Sequence, residues 1–179
     1  MVYLLLAEGF EEIEALTPLD MLRRAKVEIA TVSVSGERFV CGSHGIAVRA
    51  DLLPSECVKE PRMVILPGGM PGSLHLDASP VTDHLLDRVR DADGHIAAIC
   101  AAPLVLGRRG LLRGLRATCY PGFEEELAGS VTAGERVVTD GCITTAIGMG
   151  AAEEFGAELV RIMAGEEAAD AVLASIHAR

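Results

Sequence analysis

Gly94-His95-Ile96-Ala97-Ala98-Ile99-Cys100-Ala101-Ala102-Pro103 is the stretch whose reading decides the fold. Ile96 to Ile99 is too short and too uniformly apolar for a surface helix, and it suits a strand buried on both faces. After Cys100 the period becomes helical: Pro103 fits a first turn, Leu104, Leu106 and Leu111 supply apolar positions, and Gly107 or Gly110 can end the helix. Cys100 therefore sits at a strand-to-helix turn. A side chain there stands at the carboxyl edge of a sheet, near backbone N–H groups that can hold an oxyanion, and the helix N-terminus favours thiolate over thiol. The small residues Ala101 and Ala102 leave room for a substrate. The same pattern also suits a small buried cysteine that packs a helix onto a sheet, and this stretch alone leaves both readings open.

The chain around it has 179 residues, the size of one α/β domain spanning 1–179 and long enough to bury a core without staples. Half the residues are hydrophobic, only 3% are aromatic and Trp is absent, so the core must be Val, Ile, Leu and Ala layered between helices and a sheet. A formal net charge of −10 without a Lys/Arg cluster argues against a nucleic-acid backbone as partner and favours small ones. Five cysteines, widely spaced and without a C-x-x-C pair, suggest neither a disulfide framework nor a metal site, and they read as reduced cytoplasmic thiols. The N-terminal segment lacks a basic region, and no apolar run reaches membrane-spanning length, so neither export nor a membrane partner is expected.

Taken in order, Val2 to Ala7 reads as a buried strand and Gly9 opens a turn into a helix from about Glu11 to Arg24. Its first-turn acids Glu11 and Glu12 complement the helix dipole; Glu14 reaches the same carboxyl edge as Cys100 if the two strands are parallel and adjacent. Glu28 to Ser33 is a second strand, and Gly42-Ser43-His44-Gly45 interrupts the extended region after it as a hairpin tip or bulge. Met63 to Leu66 is another buried strand, followed by the glycine-rich loop Pro67-Gly68-Gly69-Met70-Pro71-Gly72, which is no phosphate loop because no Gly-Lys-Ser/Thr follows. Ser79-Pro80 caps a helix to about Asp91. Beyond the Cys100 helix come a short extended Ala117-Thr118-Cys119, a brief acidic helix from Phe123 to Leu127, a hairpin at Asp140-Gly141, a helix opened by Gly148-Met149-Gly150 and a last helix from Glu166 to His177. Strands alternating with helices make a doubly wound α/β sandwich of three layers with a mostly parallel sheet.

Ala7-Glu8-Gly9-Phe10-Glu11-Glu12-Ile13-Glu14, then Leu66-Pro67-Gly68-Gly69, then Ala98-Ile99-Cys100-Ala101-Ala102-Pro103, in this order and at these separations, resemble the ThiJ/PfpI superfamily, in the branch of the parkinsonism-associated protein deglycase and its bacterial relatives. The resemblance covers nearly the whole chain and implies a flavodoxin-like fold with a nucleophile elbow. It implies Cys100 as nucleophile and Glu14 as the carboxyl group bonded to its sulfur. The N–H groups of Gly69 and Ala101 match the oxyanion-binding pair, with Gly68 in the same loop. A protonated Glu14 would favour the thiolate. The activity implied is that of a cofactor-independent glyoxalase or deglycase acting on a small reactive carbonyl or a glycated thiol or amine, in a homodimer. The alternative is a non-catalytic oxidative-stress sensor or chaperone whose Cys100 is oxidised. Tyr120 stands where many members have a histidine, which counts against peptidase or amidase chemistry. His44 matches a position that faces the site from the second subunit.

Overall fold

The computed structural model describes residues 1–178. Strands β1 (Val2–Leu6), β2 (Ile29–Ser33), β5 (Met63–Leu66), β6 (His95–Ile99), β9 (Val137–Asp140) and β10 (Ile143–Ala146) form one sheet in the order β2-β1-β5-β6-β10-β9. Every neighbouring pair is parallel except β10 with β9, which close as a hairpin at Gly141 and Cys142. Two short ribbons stand apart from it: β3 (Phe39–Cys41) with β4 (Ala47–Arg49), antiparallel, and β7 (Arg116–Ala117) with β8 (Val131–Thr132), parallel.

Alternation along the buried strands builds the two outer layers. Val2, Leu4 and Leu6 of β1 join a core with α1 (Glu12–Arg24), α5 (Ala152–Ala164) and α6 (Glu166–Ser175). Tyr3, Leu5 and Ala7 join the opposite core with α2 (Gly72–Asp77), α3 (Pro80–Asp91) and α4 (Pro103–Arg108). Each fully buried Leu contributes roughly 1.5–3 kcal/mol, so the sheet between two apolar layers is held by many modest terms.

The result is the doubly wound, three-layer sandwich that the pattern predicts, of the flavodoxin-like kind that the family resemblance implies. The hairpin at Asp140-Gly141 and the Ser79 cap, whose hydroxyl accepts from the Val81 N–H at 3.3 Å, also stand as expected. Three details differ. The glycine-rich loop runs into α2, which its glycines and prolines obscure. The acidic segment is only a 3₁₀ turn over Glu124–Glu126, where three adjacent like charges oppose a longer helix. The last helix ends at Ser175, two residues early, with Ile176 as its cap.

The arrangement also corrects how Glu14 meets Cys100. The strands that deliver them, β1 and β6, are parallel but not adjacent, because β5 lies between them. The loop after β5 therefore separates the two side chains, and only a residue without a side chain lets them meet.

Candidate active site

Cys100 follows β6 at φ +67°, in the left-handed region that a non-glycine residue enters at a cost of about 1–3 kcal/mol. Neighbouring segments hold it there: its N–H donates to Ala146 O at 2.8 Å, and its carbonyl accepts from the Tyr120 N–H at 2.8 Å. Ala101 and Ala102 are buried, and Pro103 opens α4 as anticipated. Cys100 itself is half-buried.

Glu14 arrives from the first turn of α1. The turn is fixed by Glu11, the N-cap, whose carboxylate accepts the Glu14 N–H at 2.7 Å. Glu14 is 1% exposed, and its carboxyl lies beside the Cys100 side chain. Its Oε2 also accepts the Gly68 N–H at 3.0 Å. A Cβ on Gly68 would collide with that oxygen and lie 2.6 Å from Cys100 Cβ, so the loop after β5 must carry glycine here. Gly69, at φ +93°, packs its bare α-carbon on the turn between β1 and α1. The N–H groups of Gly69 and Ala101 both act to lower the proton affinity of the Cys100 sulfur. The structure thus brings Cys100, Glu14, Gly68, Gly69 and Ala101 together.

The electrostatics refine the sequence expectation. Burial pushes the Glu14 carboxyl up to about 7, opposed by the hydrogen bond from Cys100 and assisted by the charge of Glu11. The Cys100 thiol is pushed up to about 12, first by burial and then by the negative charge of Glu14, against the two backbone donors. Burial and the Glu14 charge thus work against the thiolate that the backbone donors at the start of α4 favour. The pair is a thiol beside a carboxylate whose proton affinity is centred near neutrality. Among the other cysteines, Cys57 and Cys119 are buried and burial raises both thiols, while Cys41 and Cys142 are exposed.

Tyr120 lies beside the elbow through its backbone bond to Cys100, with its ring edge-on to Phe123 at 6.4 Å. Its ring also approaches Gly148, which follows β10. A Cβ on Gly148 would stand 3.3 Å from Tyr120 Cδ2 and 3.9 Å from Cys100 Sγ. Gly148, and Met149 whose N–H lowers the proton affinity of Glu14, are site residues that sequence reasoning passes over as a helix start. The available signal is a glycine at the carboxyl end of a parallel strand, the edge where ligands bind in open α/β sheets.

His44 does not reach Cys100 within its own chain. It caps the β3–β4 ribbon, and its Nδ1 lies 2.8 Å from Glu12 Oε2. Glu12 is 3% exposed and accepts the His44 N–H at 2.8 Å and the Ile46 N–H at 3.4 Å on Oε1. Its carboxyl is held at about 2 because these bonds, led by His44, outweigh the burial that opposes them. Glu12 is therefore a buried latch for the ribbon and more than a dipole-complementing acid. Glu11, Glu12 and His44 form the one group among the described residues whose ligand atoms could gather a metal ion, within 4.8 Å of one another. Both Glu12 oxygens are already engaged in the latch.

A cysteine on a strained strand-to-helix turn, facing a carboxyl of near-neutral proton affinity at the edge of a parallel sheet, marks the cysteine-elbow class of flavodoxin-like α/β proteins. Residues 1–162 match the model of the DJ-1/PfpI family, and the chain belongs to that family, in its DJ-1 branch. It is 34% identical over 166 residues to Protein dj-1beta of Drosophila melanogaster, covering 91% of this chain and 89% of that one. It is 30% identical over 177 residues to a Caenorhabditis elegans protein named Glutathione-independent glyoxalase DJR-1.2, covering 95% and 91%. Among solved structures, oxidized DJ-1 of Toxoplasma gondii superposes with a TM-score of 0.93 at 34% identity, over 98% of this chain and 96% of that one.

Proposed function

We propose that this protein is a cofactor-independent enzyme that converts small reactive carbonyls, with methylglyoxal to lactate as the type reaction and glycated thiols or amines as related substrates. The observation that carries the reading is the Glu14 carboxyl, buried against the Cys100 sulfur and pushed up to about 7. A general base with proton affinity near the operating pH is the most effective one. The relative named as a glutathione-independent glyoxalase supports the substrate class.

In the proposed sequence Glu14 takes the thiol proton as the Cys100 sulfur bonds to the aldehyde carbon. The carbonyl π electrons move to oxygen, where the N–H groups of Gly69 and Ala101 are at hand, and Glu14 returns the proton to give a hemithioacetal. Glu14 then removes the proton from that carbon to give an enediolate, the hydroxyl proton passes to the neighbouring oxygen, and Glu14 delivers its proton to the adjacent carbon, leaving a lactate thioester. Water attacks the thioester carbonyl, lactate departs and the sulfur is reprotonated. No histidine bonds to Cys100 among the described residues, so the base of a Cys-His-acid triad is missing and peptidase chemistry is disfavoured.

A second reading draws on the oxidized form of the Toxoplasma relative: Cys100 oxidised and held by Glu14 as a stress sensor. We place the protein in the cytoplasm as a homodimer, with His44 turned to the partner's site. No helix among the described residues is long and apolar enough to cross a membrane. The test is lactate formation from methylglyoxal by wild type against Cys100→Ser, beside mass spectrometry after mild peroxide. Lactate that vanishes in Cys100→Ser supports the enzyme; a Cys100 oxidised at low peroxide dose in a protein that makes no lactate supports the sensor.

A further inference from the structure

Two glycines approach the Cys100–Glu14 pair, and they do different things. A Cβ on Gly68 has no space, since the two reactive side chains already meet there. A Cβ on Gly148 would fill the space between three side chains: 3.8 Å from Glu14 Oε1 and 3.9 Å from Cys100 Sγ, in ordinary contact, and 3.3 Å from Tyr120 Cδ2, a tight one. That point touches sulfur and carboxylate at once. An atom attacked by one and handed a proton by the other must lie close to both, within about 3–3.5 Å for reaction. On the far side the half-exposed ring of Tyr120 bounds it.

We propose that Gly148 is a specificity-determining residue. Its missing side chain opens the space over Cys100, and Gly148 and Tyr120 together form a gate about one methyl group wide. The gate admits carbonyls that bear a hydrogen or a methyl group beside the reacting carbon and turns away those with a branched or aromatic group there. The inference rests on the site reading above and names its substrate class. Gly148 also sits at φ +154°, a backbone conformation that glycine alone adopts freely, so the open space and the chain path are fixed by the same residue.

The test compares alkylation of Cys100 by iodoacetamide and by N-benzylmaleimide in wild type, Gly148→Ala and Tyr120→Ala, read by peptide mapping, with the exposed Cys142 as internal standard. In folded Gly148→Ala the large-to-small rate ratio at Cys100 is expected to fall at least about tenfold, the scale of a one-carbon misfit in a tight pocket. In Tyr120→Ala it is expected to rise, while the ratio at Cys142 stays constant in both. Because alanine strains the backbone at Gly148, circular dichroism establishes folding, and Tyr120→Ala decides if Gly148→Ala does not fold. A ratio within about twofold of wild type in Tyr120→Ala, or in folded Gly148→Ala, overturns the gate. Lactate formation from methylglyoxal is measured in parallel. A wild type that makes no lactate but shows the ratio shifts removes the carbonyl reading and leaves the gate standing.

Discussion

Gly68 donates its N–H to Glu14 Oε2 at 3.0 Å, and the same residue has no room for a side chain between Glu14 and Cys100. β5 thus separates the strands that deliver the two groups, and the loop that follows it stays thin at the one point where they touch. Gly68→Ala is expected to keep the sheet but part the carboxyl from the sulfur, lowering carbonyl turnover by ~10²-fold or more, the least a positioned acid–base group contributes. Lactate assays on a variant whose circular dichroism matches wild type check this; turnover within about threefold of wild type would sink the spacer argument.

Glu14→Gln tests the proton carrier through activity and stability together. An amide cannot shuttle a proton, so turnover should fall ~10²–10⁴-fold, and the rise in kcat/KM as pH passes about 7 should vanish. The sign for stability follows from linkage. A carboxyl raised from 4.5 to about 7 holds its proton more tightly when folded, so its contribution is fully present below pH 4.5 and is lost as pH rises through about 7. The loss is on the order of 3 kcal/mol. Denaturant melts at pH 5 and pH 8 should therefore show a smaller decline for Glu14→Gln than for wild type, and equal declines would contradict a buried, raised carboxyl.

Tyr120→Phe separates the backbone of that residue from its hydroxyl. The bond to Cys100 is made by the Tyr120 N–H, which phenylalanine keeps. Thiol titration followed at 240 nm should be unchanged, and kcat/KM should fall by no more than ~10-fold, the equivalent of one lost hydroxyl hydrogen bond of ~0.5–1.5 kcal/mol. A thiol pKa moved by more than about one unit would show that the hydroxyl acts on the sulfur.

Glu12→Gln probes the latch between α1 and the β3–β4 ribbon. The carboxylate is buried, takes two backbone N–H groups and pairs with His44, so losing its charge should cost ~1.5–3 kcal/mol at pH 7. A carboxyl lowered from 4.5 to about 2 stabilises the fold above pH 4.5, and that contribution is lost as pH falls through about 2. The stability gap between wild type and Glu12→Gln should accordingly narrow below pH 4.5 in urea titrations. A gap that is constant down to pH 3 would assign the latch to packing instead of charge.

Local pattern determined a great deal about this protein. Buried apolar runs at 2–7, 63–66 and 96–99, each followed by glycine or a helix-starting proline, set strands whose carboxyl ends share an edge, and with them the three-layer fold. The resemblance of the segments around Glu14, Gly69 and Cys100 to one family indicated which side chains meet there, and the structure brings them together. Tertiary structure alone decided three things. The strand order placed β5 between β1 and β6 and so gave Gly68 its spacer position, because sheet order depends on crossovers that no local run encodes. Burial set the direction of the proton affinities, raising both the Glu14 carboxyl and the Cys100 thiol where the helix N-terminus by itself points only towards a thiolate; desolvation is a property of everything packed around a group. Glu12 and Gly148 acquired their places from segments far along the chain, the β3–β4 ribbon for one and the Cys100–Tyr120 edge for the other, and sequence spacing carries no trace of such contacts.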